Sequence, residues 1–161
     1  QLTKLVVSSC LILIHSLGTF YAMGLEGIIP RIQKYYDIND AETALIHTAT
    51  SISSTITLFL LWIFGESFKR RNMFLVGVTF WIIFSLLSLI VGLNSFMLFV
   101  IFRTLSSAAA SVFSILLPVV LADMLHDRQL GIALMCLHIA DLGLSMLTGI
   151  VSSWIVTSTI P

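Results

Sequence analysis

"VIFRTLSSAAASVFSILLPVVLAD", residues 100–123, sets Arg103 into a run that is otherwise apolar or small. A guanidinium stays protonated inside a protein, so keeping it there requires a counter-charge, water or a ligand. The rest of the chain names the solvent around that run. It is 58% hydrophobic and 10% charged, against roughly 25% charged for a soluble domain. The mean hydropathy of +1.06 points the same way. Too few polar side chains exist to cover a soluble fold, so the chain reads as an integral membrane protein. Its formal net charge is zero, and nothing in that balance argues for nucleic acid as a partner.

Working outward from that run, five apolar stretches are long enough to cross a bilayer, which takes about 20 helical residues. They lie near residues 5–29, 43–64, 73–93, 96–121 and 130–155. Runs this long exceed a barrel strand of about 10 residues, so helices are the expected spanning form. The expected fold class is an all-α polytopic bundle, with residues 1–161 as a single transmembrane domain. Connections are short. "PRIQKYYDINDAE" is the longest, and its Pro30 with the charges after it is expected to end the first helix; "GLNS" reads as a tight turn. The first run is too long for a signal-peptide core. Because the chain starts at Gln1 rather than Met, a fragment or a processed form is expected. Lys4, Lys69, Arg70, Arg71 and Arg128 gather at one set of helix ends, against Arg31 and Lys34 at the other. The positive-inside rule then puts the N-terminus in the cytoplasm and Pro161 on the outer or lumenal side.

Helical spacing sorts the polar residues onto faces. In the fourth span Arg103, Ser107, Ala110 and Ser114 form one small and polar stripe. His15, Thr19, Ala22 and Glu26 share a face of the first span, and His47, Ser51 and Ser54 one of the second. His138, Asp141, Ser145, Thr148 and Ser152 line the fifth. The third carries no ionisable residue between Met73 and Leu93. Four striped helices and one plain one suggest a bundle around a wet centre, with the third helix outside. Ionisable groups in membranes mark such centres. Arg103, Glu26, Ser107, Ser114, His15, His47, His138 and Asp141 are therefore the candidate cavity-lining residues, with Glu26 and Asp141 as counter-charges for Arg103. The bland alternatives are snorkelling for Arg103 and interhelical hydrogen bonds for the histidines.

Metal and nucleophilic chemistry find little support. His138 and Asp141 sit three apart, but a metal site needs a third ligand, from His15 or His47 on another helix. No HExxH box and no G-x-S-x-G turn is present. No metal, cofactor or enzyme activity is expected. Cys10 and Cys136 lie in apolar runs and read as small packed thiols.

"WIFGESFKRR", residues 62–71, resembles the cytoplasmic loop motif of the major facilitator superfamily, with Gly65, Glu66, Arg70 and Arg71 at its small, acidic and basic positions. Arg103 followed by Ser107 and Ala109 resembles the superfamily's fourth-helix pattern, both glycines being replaced by small residues. Within the superfamily the chain looks most like spinster-like transporters. Arg103, Leu105, Ser114, Pro118, Ala122 and Asp123 fall in register with their fourth helix, and "GIIPRIQKYYDI" resembles the end of their first.

This resemblance implies the first five of twelve helices, in a carrier that works by alternating access between two halves. It implies that the C-terminal half is missing from this chain. It implies a lipid or other small-molecule substrate, such as a lysophospholipid or sphingolipid phosphate, in a lysosomal or plasma membrane. It also implies a cytoplasmic gating relay of Glu66, Arg70, Arg71 and Asp123. Tyr21 and Ala22 stand where spinster-like proteins carry an Asp-Arg pair, and Ala110 where they carry a Glu, positions the family associates with proton coupling. The alternative expectation is therefore a diverged or truncated non-transporting membrane protein, acting as a partner or scaffold.

Overall fold

The computed structural model describes residues 2–92 and 95–159. Among the described residues the chain is almost entirely helical: α1 (Leu2–Gly27), α2 (Ile29–Tyr36), α3 (Asp40–Phe64), α4 (Arg70–Gly92), α5 (Phe96–Met124) and α6 (Asp127–Thr159), with a 3-10 turn at Gly65–Ser67. All but α2 contain membrane-crossing stretches, of 22 to 31 residues. At about 1.5 Å per residue these reach roughly 33–47 Å, more than the ~30 Å of hydrocarbon. This is a multi-pass membrane protein. Its large exposed side chains, among them Leu13, Phe59, Trp62, Ile90, Met135 and Trp154, suit a solvent of acyl chains.

Helix ends depart from the sequence expectations for identifiable reasons. Pro30 does not end the first helix: α1 stops at Gly27, and Pro30 sits in the first turn of α2. There its missing N–H costs nothing and its fixed φ suits a helix start. The connection after α1 is thus largely helical, closed by Asp37 in the left-handed region at φ 51°. The second span starts at Asp40, three residues early. Glu42 explains this, since its carboxylate accepts the Asn39 N–H at 3.0 Å, while Asp40 and Glu42 place negative charge at the positive end of the helix. Pro118 lies inside α5, which continues to Met124. The expected turn over "GLNS" and the position of Pro161 fall largely outside the described residues.

The chain forms two packed units, one comprising the residues up to Asp37 with Leu117 onward, the other Ile38–Leu116. In the first, α1 and α6 pack along each other. They run parallel, because His15 meets Asp141 and Gly27 meets Ser152 further along both. Lys4 donates to the Met124 carbonyl at 3.1 Å, satisfying the C-terminal end of α5. Ser8, Thr148 and Ser152 are buried in this unit.

In the second unit α5 meets both α3 and α4. Phe74 and Trp81 of α4 set their rings edgewise to Phe113, and Ser85 bonds Ser106. The pairing is antiparallel, as residues 74 to 85 descend along 113 to 106. Lipid offers no hydrophobic drive for helices to associate, so close approach and hydrogen bonds do that work. Many hydroxyls instead bond their own helix four residues back, as Thr57 does to Ser53 and Thr104 to Val100.

The expectation of packed thiols is corrected, since Cys10 and Cys136 are both exposed. Each lies five residues before a seam residue, His15 or Asp141, and so about 140° around its helix.

Candidate functional site

Arg103 is 9% exposed. It sits seven residues into α5, about 10 Å along the axis from Phe96. A residue that buried is not reaching out along the lipid-facing surface. One turn on, Ser106 and Ser107 point to different neighbours: Ser106 Oγ lies 2.8 Å from Ser85 of α4, and Ser107 Oγ 2.9 Å from Ser54 of α3. Ser53 of α3 adds a bond to the Thr104 carbonyl at 3.3 Å. Arg103 therefore stands beside a hydroxyl-rich turn where three helices meet. Ser114, two turns further, is half-buried on the same side.

A separate groove of about 800 Å³ runs between α3, α4 and α5, walled by residues such as Leu60, Phe64, Phe80, Phe84 and Val112. Val112 is nine residues from Arg103 and so about 180° around α5. This groove is consequently apolar and turned away from the guanidinium.

The other unit holds a second polar cluster. His15 Nε2 lies 3.2 Å from Asp141 Oδ2, and the Thr19 hydroxyl donates to Asp141 Oδ1 at 3.1 Å. The side chains of His15 and Asp141 are 13% and 27% exposed. His15 is nine residues from Val6 and twelve from Gly27, placing the cluster near the middle of its span. A cavity of about 540 Å³ opens nearby, lined by Ser8, Ile12, Ser16, Gln129, Ala133 and Cys136.

Of the other expected site residues, Glu26, His47 and His138 are exposed, as are Arg70, Arg71 and Asp123. The side chain of Glu66 lies outside the described residues. The expected stripe on α6 divides: Thr148 and Ser152 are buried, while His138, about 60° around from Asp141, is exposed. Among the described residues no three His, Cys, Asp or Glu side chains converge. Thr19, Ser85 and Ser106 were absent from the expected set. Thr19 carried a signal in its i+4 spacing from His15; the buried serines of α4 and α5 carried none, since hydroxyls abound in every span.

Comparison with known proteins gives the family of the chain. The family profile described as Major Facilitator Superfamily matches residues 10–160. Protein spinster homolog 1 of Xenopus laevis is 27% identical over 126 residues, covering 78% of this chain and 24% of that protein. The sphingosine-1-phosphate transporter SPNS2 of Danio rerio is 23% identical over 138 residues, 86% of this chain and 27% of that protein. Protein spinster homolog 1 of Homo sapiens is 24% identical over 105 residues, covering 65% and 20%. The chain spans about a quarter of the length of the relatives it matches.

Proposed function

The chain belongs to the major facilitator superfamily, and from that premise we propose that it is the N-terminal part of a secondary transporter that moves a lysophospholipid or sphingolipid-like amphiphile by alternating access. The single observation that carries this reading is the burial of Arg103 beside the Ser106 and Ser107 hydroxyls. A fixed positive charge among apolar helices suits a phosphate-bearing headgroup, which a guanidinium binds through paired, charge-assisted hydrogen bonds. The similarity to a sphingosine-1-phosphate transporter supports the same class of cargo.

Exposed polar residues add support. His47 and Ser51 on α3 and His138 on α6 lie on outward faces of membrane helices. Such side chains avoid lipid, so these faces suit contact with water or with another part of a larger carrier. Arg70, Arg71 and Asp123 are exposed at helix ends, as the expected cytoplasmic gating relay requires of them. Each exposed pair there contributes about 0–1 kcal/mol, enough in combination to bias an equilibrium between two access states. A non-transporting partner or scaffold is the second reading, and Tyr21, Ala22 and Ala110 at the family's coupling positions favour it.

The test uses the full product of the gene in liposomes, with fluorescent lysophosphatidylcholine as cargo and albumin extraction to follow its movement. Wild type moves the probe, and Arg103→Ala slows it about tenfold or more, the effect of losing a charge-assisted contact of ~1.5–3 kcal/mol. An Arg103→Ala rate equal to wild type removes this residue from the cargo path. A wild-type protein that moves no probe supports the scaffold.

A further inference from the structure

We infer that the groove between α3, α4 and α5 holds one acyl chain of an anionic membrane phospholipid, with the headgroup against Lys69 and Asn72. The site lies within Ile38–Leu116 and does not rest on the transporter reading. Its floor is made of small residues. Gly77 of α4 and Ala108 and Ala109 of α5 line it, and a Cβ on Gly77 would meet Val112 at 3.2 Å. Large apolar side chains make the walls, Leu60 and Phe64 from α3, Phe80 and Phe84 from α4. The two α4 rings stack with centroids 5.6 Å apart, giving that wall an unbroken aromatic edge. Leu60, Phe64 and Phe80 are exposed, so the trough opens on the protein surface. Its volume of about 800 Å³ is within the ~300–1,000 Å³ of ligand-holding clefts.

Length separates a lipid chain from a helix as the occupant. On α4 the lining extends between residues 72 and 84, about 18 Å along the axis. One leaflet of hydrocarbon is about 15 Å, half of the ~30 Å core. At its far end the groove stops: Ser85, the next residue, is buried and bonded to Ser106 at 2.8 Å. A neighbouring transmembrane helix crosses both leaflets and would need a matching trough along the other half as well. An acyl chain, anchored by its headgroup at one interface, ends where this groove ends.

The open end selects the headgroup. Residues 65–72 carry Lys69, Arg70 and Arg71 against the carboxylate of Glu66, a net charge of +2. α4 begins here with no acidic residue in its first turn, so the positive end of its dipole adds to that field. Lys69 and Asn72 both line the groove and are exposed. An ammonium and an amide there can donate to a phosphate at the mouth of the trough. The positive-inside rule puts this end in the cytoplasm, on the leaflet rich in anionic lipid, where each nearby cation strengthens binding. Arg103 lies about 180° around α5 from Val112, so this lipid is separate from a cargo held at Arg103.

The test uses the full product of the gene in phosphatidylcholine nanodiscs, doped with phosphatidylserine or phosphatidylcholine that carries a diazirine on one acyl chain. After illumination, labelled residues are mapped by mass spectrometry. Phosphatidylserine labels residues 105–112, at the floor, in excess over phosphatidylcholine. Lys69→Gln lowers that excess about fivefold, the factor one cation contributes near an anionic surface. Lys34→Gln, at the opposite helix ends, leaves it unchanged. Ala108→Phe fills the floor and removes the excess. An excess that survives Lys69→Gln or Ala108→Phe overturns the proposal, and so does equal labelling by the two lipids. Should Ala108→Phe fail to fold, Lys69→Gln, at an exposed position, decides alone. A floor that neither lipid labels overturns it too, and gives the groove to another segment of the full protein or to a second copy. Movement of cargo does not enter the readout, so a protein that transports nothing leaves each of these outcomes standing.

Discussion

Substituting Gly27 by alanine tests the α1–α6 seam at the point where the two backbones come closest. A Cβ built on Gly27 collides with both Oγ and Cβ of Ser152. Ser152 is buried, and its hydroxyl donates to the Gly149 carbonyl at 3.1 Å. Rotating that hydroxyl away gives up the bond and still leaves the Ser152 Cβ in place, because a Cβ moves only with its backbone. Carbon atoms need about 3.5–4.0 Å between them, so α1 must draw back from α6. Overpacking of this kind costs about 1–3 kcal/mol. Gly27 is the last residue of α1, where the chain yields more easily than mid-helix, which sets the expectation at about 1–2 kcal/mol.

Alanine also favours a helix over glycine by up to about 1 kcal/mol, and this gain must be subtracted. Gly24→Ala supplies the correction, since a Cβ there meets nothing within 4 Å. Unfolding of the chain in mixed micelles, followed by helical circular dichroism as the denaturing detergent rises, gives the free energies. Ser152→Gly removes both colliding atoms, so the double variant should recover about 1–2 kcal/mol relative to the sum of the singles. Additivity within about 0.5 kcal/mol, the margin for independent sites, would refute the close approach. So would a Gly27→Ala variant as mild as Gly24→Ala.

Two further outcomes follow from the same structure. Ser106→Ala leaves the buried Ser85 hydroxyl without its 2.8 Å partner and should cost about 1–3 kcal/mol in the same assay. The Ser85→Ala, Ser106→Ala double variant should be milder than Ser106→Ala alone. In α2, burial and then the neighbouring Tyr35 raise the Tyr36 pKa above 10.0. A raised folded pKa means stability that is complete below pH 10.0 and lost as pH climbs through the folded value. Tyr36→Phe should therefore flatten the alkaline limb of the unfolding profile, and an unchanged limb would assign that loss to other groups.

The membrane-spanning helices could be read from sequence because lipid imposes one dominant rule: a span must be apolar and long. Asp40 and Pro30 escaped that rule because helix ends obey local chemistry, a capping carboxylate in one case and a proline in a first turn in the other. Polar faces were legible only in part. The i, i+4 spacing of His15 and Thr19 put two partners on one side of α1, yet nothing in either helix alone said that Asp141 would meet them. Ser107 and Ser114 could be placed on Arg103's stripe by periodicity. Ser106, one residue away, could not be singled out, because finding it required knowing that α4 brings Ser85 to that spot. Cys10 and Cys136 were misjudged for a related reason. In a soluble protein an apolar neighbourhood means burial, whereas in a bilayer it describes the outer surface equally well.

The two units use different polar chemistry to join parallel or antiparallel helices. In Ile38–Leu116 the described interhelical bonds are hydroxyl to hydroxyl or hydroxyl to carbonyl, and neither group titrates near neutral pH. Arg103 likewise keeps its charge at any pH a cell maintains. The α1–α6 seam is instead closed by an imidazole and a carboxylate, with the Thr19 hydroxyl on the second carboxylate oxygen. Substitutions at Ser85 or Ser106 and at His15 or Asp141 therefore perturb different seams, one within each unit.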